Sequence, residues 1–452
     1  MLGESRTKDL LKKTLAMSKA DQTEVVLLAE DSYLTRFANS YIHQNVAERN
    51  YLVSVRAAIG KRIGQATTNS LSPADVKATV ARAVQIAGVQ RENKDFVSLP
   101  ASDGKIAEMD LYVPETARYS AEQRALQVRK ICKLSERHQA RAFGAFSTGT
   151  VELGIANSLG IMRYNRSTDA ALNAVVMTDT GAGYGQGAHR DVRRIQVGRI
   201  AESAVRKAVD SRRPTELKPG RYTVVLEEAA AFTLLEFLNY TGFSARAVQE
   251  GRSFMGPNFG KRIVDPRITI ADDPGRRQGF AFPFDFEGVA KQRVVLIERG
   301  VARNVVYDSL TAGRENKRST GHALLAPPFY PMASNLVMSP GDKTVDQMVA
   351  STERGVYITR FHYCNLIDPM PVSITGMTRD GTFLIERGRI TRPVRNLRFT
   401  ESVLDALNRV AAVGSRLQLV SESGGYGHRF ATGSLVPALK IEKFNFTGAT
   451  EF

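Results

Sequence analysis

The segment 212–220, Arg-Arg-Pro-Thr-Glu-Leu-Lys-Pro-Gly, separates two parts of the chain that differ in character. Its two prolines and one glycine among charged residues are typical of a linker. Before it, helix-like and strand-like patterns alternate, whereas short strand-like runs and turns predominate beyond it. A chain of 452 residues is also long for one hydrophobic core. The sequence therefore predicts an α+β protein: a mixed N-terminal part with an antiparallel sheet and helices, followed by a β-rich C-terminal part.

Local signals in the N-terminal part predict alternating helices and strands. An amphipathic helix is predicted close to the N-terminus, and strand-like runs follow it up to residue 59. Ser72 before Pro73 is a helix start, and Ser120 with Gln123 forms a capping box for a further helix. These changes of pattern predict three domains: an N-terminal domain over 1–110, a central α+β segment over 111–215 and a β-rich C-terminal domain over 216–452.

A glycine-rich stretch follows the central extended region. Residues 143–180 have an extended pattern, with turns predicted at Asn157-Ser158 and Asn165-Arg166. Residues 181–187 then read Gly-Ala-Gly-Tyr-Gly-Gln-Gly. No Gly-Lys-Ser/Thr closes this stretch as in a P-loop, and the GxGxxG spacing of a dinucleotide site is missing. We therefore predict a flexible turn here, and no cofactor.

Only two helices are predicted among the short strands beyond residue 220. One covers Glu228 to Asn239. The other is capped by Thr400 and ends at Gly414, with leucines at helical spacing between them. This scarcity of helices is the reason for predicting a β-rich C-terminal part.

The net charge of +16, from 62 Lys and Arg against 46 Asp and Glu, raises the question of nucleic-acid binding. The excess is scattered, however, and its two basic stretches, Arg190 to Arg199 and Arg387 to Arg398, are not dense blocks. No zinc-finger or RNA-binding signature accompanies them. Solvated basic faces are the commoner case, so the pattern disfavours nucleic acid as a partner.

The composition predicts a protein of a reducing cytoplasm. The polar start MLGESRTKDLLKK lacks the apolar core of a signal peptide, and no apolar run approaches the roughly 20 residues that span a bilayer. Cys132 and Cys364 form neither a disulfide framework nor a Cys-x-x-Cys site. Cys132 shares a helical face with Val128 and Ile131, which favours a core residue over a reactive thiol. No membrane partner is expected.

Two acidic motifs are candidates for acid–base chemistry. The first is Asp272-Asp273 before Pro274. The second is Asp285 and Glu287, which would point to one face of a strand. Prolines and a glycine lie next to both motifs, and such acids more often accept hydrogen bonds from backbone N–H groups in turns. We favour the turn interpretation.

Three histidines and a cysteine are candidates for a metal or hydrolytic site: His322, His362, Cys364 and His428. Imidazole and thiolate are the ligands of zinc, so convergence of these four would make a site. None has a closely spaced partner except the pair His362 and Cys364, which would share a strand face. No Gly-x-Ser-x-Gly elbow supports a serine hydrolase. A metal site is the less favoured interpretation.

The chain resembles the TldD/TldE (PmbA) metallopeptidase family over about 400 residues. Each matching segment is weak alone, and their shared order makes the resemblance specific. The segments are Phe37–Gln44, Gly60–Ala66, Tyr222–Leu226, Gly251–Ser253, Ile268–Pro274, Phe284–Val289, Leu296–Val301, Ser319–Gly321, Thr375–Gly376 and Phe383–Ile390.

The resemblance implies that this member lacks the zinc site. Catalytic TldD proteins carry His-Glu-x-x-x-His on a helix and a cysteine near the C-terminus. The matching helix here places Glu236 and Thr241 at the histidine positions and Phe237 at the position of the glutamate. The cysteine position falls at 425–427, and no cysteine follows Cys364. The resemblance therefore implies no catalytic residue and no metal ligand, and substrate-binding residues stay unassigned. Glu236 is expected to be a partly exposed polar position.

The resemblance further implies a TldE-like subunit that acts with a TldD-like catalytic subunit on unfolded or leader peptides. In that role the chain would shape the complex and hold an extended peptide along a strand edge. Two alternatives stay open. One is a stand-alone hydrolase built from His322, His362, Cys364 and His428, and the other is a DNA- or gyrase-binding modulator.

Overall fold

The computed structural model describes residues 1–102, 106, 108–325, 330–421 and 427–450. Its fold is mixed, with two sheets and helices on both, so the predicted α+β class is confirmed. Within the described residues, no helix combines the length and the apolar character needed to cross a bilayer.

The N-terminal part is built on one six-stranded antiparallel sheet of order β3-β2-β1-β4-β5-β6. Its strands are β1 Gln22–Ala38, β2 Tyr41–Ile59, β3 Arg62–Thr68, β4 Arg141–Asn157, β5 Met162–Met177 and β6 Ala182–His189. β1 pairs with β4 from Glu24 to Phe37, so the sheet is continuous across the predicted boundary at 110. The boundaries at 110 and 215 stay predictions of domain organisation.

Helices cover this sheet, and two of them start at serine caps. They are α1 Glu4–Ala16, α2 Pro73–Val89, α3 Pro114–Ala117, α4 Ala121–Arg137 and α5 Val197–Asp210. The Ser72 side chain accepts a hydrogen bond from the Asp75 N–H, and Ser120 forms the predicted capping box with Gln123. Both predicted starts are confirmed. Cys132 on α4 is buried beside Val128 and Ile131, which confirms it as a core residue.

Two predictions for the central region need correction. Asn157 does end β4, but Asn165 lies inside β5 opposite Leu153, so the turn predicted there is wrong. The glycine-rich stretch 181–187 is not a flexible turn: from Ala182 onwards it is strand β6, paired with β5. A β-carbon on Gly183 would collide with the carbonyl oxygen of Ala204 on α5. The glycines therefore let this helix pack directly against the strand.

The C-terminal part is built on an eleven-stranded mixed sheet, which confirms its β-rich character. The strands are β7 Gly220–Leu226, β8 Ile270–Asp272, β9 Val294–Glu298, β10 Val301–Ala302, β11 Leu336–Met338, β12 Arg354–Asp368, β13 Ser373–Glu386, β14 Arg389–Pro393, β15 Leu397–Ser402, β16 Val410–Val420 and β17 Ser434–Ala449. The helices are α6 Glu228–Gly242, α7 Ala245–Gln249, α8 Ser309–Arg314, α9 Val345–Ala350 and α10 Val403–Asn408.

The helix predictions for this part are half right. α6 confirms the first. The second is shorter than predicted: Ser402 caps α10, not Thr400, and residues up to Gly414 belong to strand β16. Tertiary pairing with β17 therefore overrides the helical spacing of this segment.

The two parts share a hydrophobic core. Phe282, Phe284 and Phe286, from a loop of the C-terminal part, pack with Val26 and Leu28 of β1. Because their burial depends on both parts, we expect the two parts to keep a fixed orientation.

Candidate functional site

Helix α6, which the resemblance aligns with the metal-motif helix of catalytic TldD proteins, borders a cavity of about 400 Å³ that we call the α6 cavity. Leu234, Leu235 and Leu238 of α6 are fully buried and anchor the helix on the C-terminal sheet. The opposite face presents Thr233, Glu236, Phe237 and Tyr240 to the cavity. Strand β12 forms the facing wall with His362 and Cys364.

A bulge in β12 shapes this wall. His362 lies opposite Met377 and Asn365 lies opposite Thr375, so two residues face one on the partner strand. The extra residue is Tyr363, which has a φ of 49° and a side chain that is 71% exposed. The predicted alternation of a regular strand is therefore wrong at this point, although His362 and Cys364 still line the same cavity.

The possible ligand atoms in this cavity have other partners. Glu236 Oε1 accepts a hydrogen bond from Ser434 Oγ at 3.0 Å, and Cys364 Sγ donates to the His362 carbonyl oxygen at 3.8 Å. Thr241 is buried and its hydroxyl donates to the Phe237 carbonyl oxygen at 2.7 Å. Glu236 is half-buried, in agreement with the expected polar position.

Burial, with Arg360 and Arg379 nearby, lowers the pKa of His362. The imidazole is therefore neutral at neutral pH. The lining thus combines a neutral imidazole, a thiol and one carboxylate with the Arg360 guanidinium and the phenols of Tyr240 and Tyr363.

These residues do not fit the zinc ion that the resemblance implies for catalytic relatives. Zinc needs three or four converging ligands. Within the described residues, no group of three His, Cys, Asp or Glu side chains could hold a metal. Of the predicted cysteine position at 425–427, residues 425 and 426 lie outside the described residues.

The alternative site built from His322, His362, Cys364 and His428 does not form. His322 is 1% exposed and lies against Asp272. His428 lies 3.6 Å from Glu30 of β1. Of the four, His362 and Cys364 share a cavity and the other two lie elsewhere, so this less favoured alternative is not supported by the structure.

Asp272, Lys291 and His322 form a buried group that we call the loop cluster. Asp272 Oδ1 lies 3.4 Å from Lys291 Nζ and 3.2 Å from His322 Nε2. Its Oδ2 accepts hydrogen bonds from the N–H groups of Ser334 and Asn335 at 2.7 and 2.8 Å. Burial alone would raise the pKa of Asp272, but Lys291 and His322 outweigh it and lower that pKa. Asp272 is therefore a carboxylate that fixes a loop.

Asp285 and Glu287 belong to a second buried group, the interdomain cluster, with Glu24, Arg56 and Asp308. Asp285 accepts hydrogen bonds from the N–H groups of Glu287, Val289 and Ala323 at 2.9, 3.0 and 2.8 Å. These contacts confirm the hydrogen bonding predicted for Asp285 in a turn.

Arg56 is the centre of the interdomain cluster. It donates to Glu24 at 2.8 Å and to Glu287 at 3.0 Å, which joins β1 and β2 to a loop of the C-terminal part. Glu287 also accepts from the Ser309 N–H at 2.9 Å. Burial and the nearby Glu287 raise the pKa of Asp285 well above its ordinary value.

A second cavity, of about 450 Å³, lies between the two parts, and we call it the interdomain cavity. The sequence analysis did not predict it. Lys207 of α5 lies 2.7 Å from Glu227, which also accepts a hydrogen bond from the Tyr357 hydroxyl. Lys207 donates to the Tyr184 carbonyl oxygen of β6 as well, at 3.3 Å. These four residues are far apart in the chain, and no motif connects them.

Comparison with known proteins places the whole architecture in one family. Residues 23–87 match PmbA/TldA metallopeptidase domain 1, residues 115–212 match the central domain and residues 219–448 match the C-terminal domain. The chain belongs to the PmbA/TldD metallopeptidase family.

Individual relatives are distant. A metalloprotease of Methanothermobacter thermautotrophicus is 26% identical over 60% of this chain and 61% of its own. Matches to this and three TldD homologues span 52–61% of the relatives' length. TldE from Thermococcus kodakarensis has a similar structure, with a TM-score of 0.88 and 20% identity over 98% of this chain and 99% of that one.

A Thermotoga maritima protein described as a proposed modulator of a DNA gyrase is similar as well. Its TM-score is 0.87 at 18% identity, over 97% of this chain and 100% of that one. At such identities the two solved structures establish the fold.

Proposed function

We propose that this chain is a TldE-like, non-catalytic subunit of a TldD/TldE-type zinc metallopeptidase complex that cleaves unfolded or leader peptides. The observation that carries the proposal is the composition of helix α6, which has Glu236, Phe237 and Thr241 where the resemblance places the metal motif. Without zinc ligands such a site has no obvious route to activating water at neutral pH. The chemistry then comes from a TldD-like partner.

The contribution of this chain to such a complex is peptide binding. Glu228 and Ala229 of α6 line the interdomain cavity, and Thr233, Glu236 and Tyr240 line the other, so one helix borders both. Strand β6 is the last strand of its sheet and borders the interdomain cavity. An edge strand offers backbone groups to an extended chain whatever its side chains are, which suits unfolded substrates.

The test is co-purification with a TldD-like protein of the same cell, followed by cleavage assays of each chain alone and of the mixture. We expect this chain alone to hold no stoichiometric zinc and to leave an unstructured peptide intact, while the mixture cleaves it. A partner preparation stripped of zinc serves as the control. Zinc-dependent cleavage by this chain alone would contradict the proposal.

A stand-alone hydrolase is favoured by one observation: a thiol, a neutral imidazole and a carboxylate share the α6 cavity. This alternative predicts activity in the isolated chain that Cys364→Ala abolishes. Retained activity in that variant would remove Cys364 from consideration.

A DNA- or gyrase-binding modulator is favoured by the description of the Thermotoga protein and by the net charge of +16. If the charge only solvates the surface, DNA binding should be weak, independent of sequence and lost near physiological salt. A specific complex that survives physiological salt would support this alternative.

A further inference from the structure

The interdomain cavity carries an excess of positive charge. Its lining includes four cationic side chains and two carboxylates, namely Arg194, Arg199, Lys207, Arg416, Glu227 and Glu228. Glu227 neutralises Lys207 at 2.7 Å. Among the described residues, the three arginines have no ion-pair partner. The lining therefore carries more positive than negative charge.

The remaining carboxylate, Glu228, offsets at most one of these three positive charges. Burial and the adjacent Glu227 raise the pKa of Glu228, although Arg416 and Lys207 partly oppose the shift. The three arginines are exposed at the cavity mouth. Charges of one sign in a cleft with low-dielectric walls concentrate oppositely charged ligands there.

Backbone acceptors of an edge strand lie in the same cavity. The Tyr184 and Gln186 carbonyl oxygens of β6 accept hydrogen bonds from Lys207 Nζ at 3.3 Å and Gln418 Nε2 at 3.4 Å. Both donors belong to other elements, so these carbonyls point away from β5, toward the edge of the sheet. These two hydrogen bonds are long, so the backbone N–H groups of an extended peptide can replace their donors at a modest cost in free energy.

We propose that the interdomain cavity is a subsite that binds the acidic side chains of an extended peptide through Arg194, Arg199 and Arg416. This inference rests on the proposed peptide-binding function and adds a substrate class to it. Planar guanidinium groups pair with carboxylates through two parallel hydrogen bonds, which suits this lining.

The same lining disfavours nucleic acid. Single strands bind where bases stack on available aromatic rings. Tyr184 and His189 are the aromatic side chains of this lining. The Arg360 guanidinium already covers the Tyr184 ring at 4.4 Å from the centroid, and His189 Nδ1 accepts a hydrogen bond from the Asp191 N–H at 2.9 Å.

The test uses the full chain and fluorescence anisotropy with a glutamate-rich unstructured peptide and its glutamine counterpart. At low ionic strength we expect the acidic peptide to bind about tenfold more tightly, since three partly exposed charge pairs contribute modestly each. The preference should shrink in about 0.5 M salt. The combined variant Arg194→Gln, Arg199→Gln, Arg416→Gln should lose it.

A matched variant removes the same charge elsewhere: Arg82→Gln, Arg91→Gln and Arg137→Gln are exposed positions outside this cavity. It should keep the preference for the acidic peptide, and both variants should have the melting temperature of the parent chain. Equal loss in both variants, equal binding of the two peptides, or no binding of the acidic peptide would overturn the proposal. A single-stranded oligonucleotide that binds more tightly through the same three arginines would replace it with nucleic-acid binding.

Cleavage by the mixture with a TldD-like partner separates this inference from the proposed function. If both peptides are cleaved but bind equally well, only the acidic subsite is wrong. If the mixture cleaves neither peptide, the proposed function fails, whatever the outcome of the binding assay.

Discussion

The interdomain cluster and the loop cluster are both buried, yet they balance charge in opposite ways. In the interdomain cluster Arg56 faces Glu24 and Glu287, with Asp285 and Asp308 close by. In the loop cluster one carboxylate, Asp272, faces Lys291 and His322. Carboxylates are in excess in the first cluster and bases in the second.

This difference determines the direction of the pKa shifts. Burial, with Glu287 nearby, raises the pKa of Glu24 to about 7 even though Arg56 opposes the shift. The pKa of Asp272 is lowered although burial alone would raise it. Burial is common to both clusters, so the ratio of acids to bases decides which protonation state the fold favours.

The largest effect on stability is expected when the interdomain cluster loses the positive charge of Arg56. Arg56→Met leaves Glu24 and Glu287 buried without a counter-charge, which should lower the free energy of unfolding by about 3–5 kcal/mol. Arg49→Met on the same strand is the control. The Arg49 side chain is 57% exposed in its pair with Asp31, so its loss should cost about 1 kcal/mol or less. Chemical unfolding measures both, and equal losses would contradict the comparison.

Removing the charge of the loop cluster should have a smaller effect. Asp272→Asn leaves Lys291 buried without its carboxylate, but an amide oxygen in place of Oδ2 can still accept both backbone hydrogen bonds. We expect a loss of about 3 kcal/mol. The neighbouring Asp273 pairs with Arg293 near the surface, so Asp273→Asn should cost less than about 1 kcal/mol. Thermal unfolding of the two variants side by side checks this, and similar melting temperatures would refute it.

The two clusters should also respond differently to pH. The folded pKa of Glu24, about 7, exceeds the ordinary 4.5, so the folded state binds more protons between these values and stability falls as pH rises through them. Glu24→Gln should remove a decline on the order of 2 kcal/mol. Asp272→Asn should keep the decline, since the contribution of Asp272 is lost only as pH falls below its ordinary pKa. Unfolding curves across this pH range test both, and an unchanged slope in Glu24→Gln would show that another group titrates.

The smallest effect is expected at the α6 cavity, where Glu236 is only half-buried. Glu236→Ala should leave peptide cleavage by the assembled complex within a few-fold, because catalytic groups typically contribute about 10²-fold or more. A loss of that size, with the complex intact by size-exclusion chromatography, would show that this chain supplies chemistry. It would end the accessory-subunit proposal.

Features that depend on neighbouring residues were predictable from the sequence. The caps at Ser72 and Ser120 and the helix that begins at Glu228 are all present, because a cap or a helical stripe needs only a few adjacent side chains. The turn chemistry of Asp285 was predictable for the same reason: two of its backbone donors lie within four residues.

Features that depend on a distant partner were not predictable. The glycine-rich stretch at 181–187 has the composition of a turn. Its glycines are needed in a strand because α5 packs so closely that side chains would collide with the helix backbone. The residues 410–414 continue a helical spacing, but pairing with β17 makes them a strand. In both places a tertiary contact outweighs local preference.

The sequence by itself determined the α+β class, the family and the lack of a zinc motif, since no histidine lies between His189 and His322. These are properties of residue order. Only the tertiary structure decided that Arg56 meets Glu287, 231 residues away, and that Lys207 meets Glu227 across the interdomain cavity. The residues next to a charged side chain in the sequence do not indicate which distant residue it will pair with. Coulomb attraction in a buried site depends on the distance between the charges and on the local dielectric, and folding sets both.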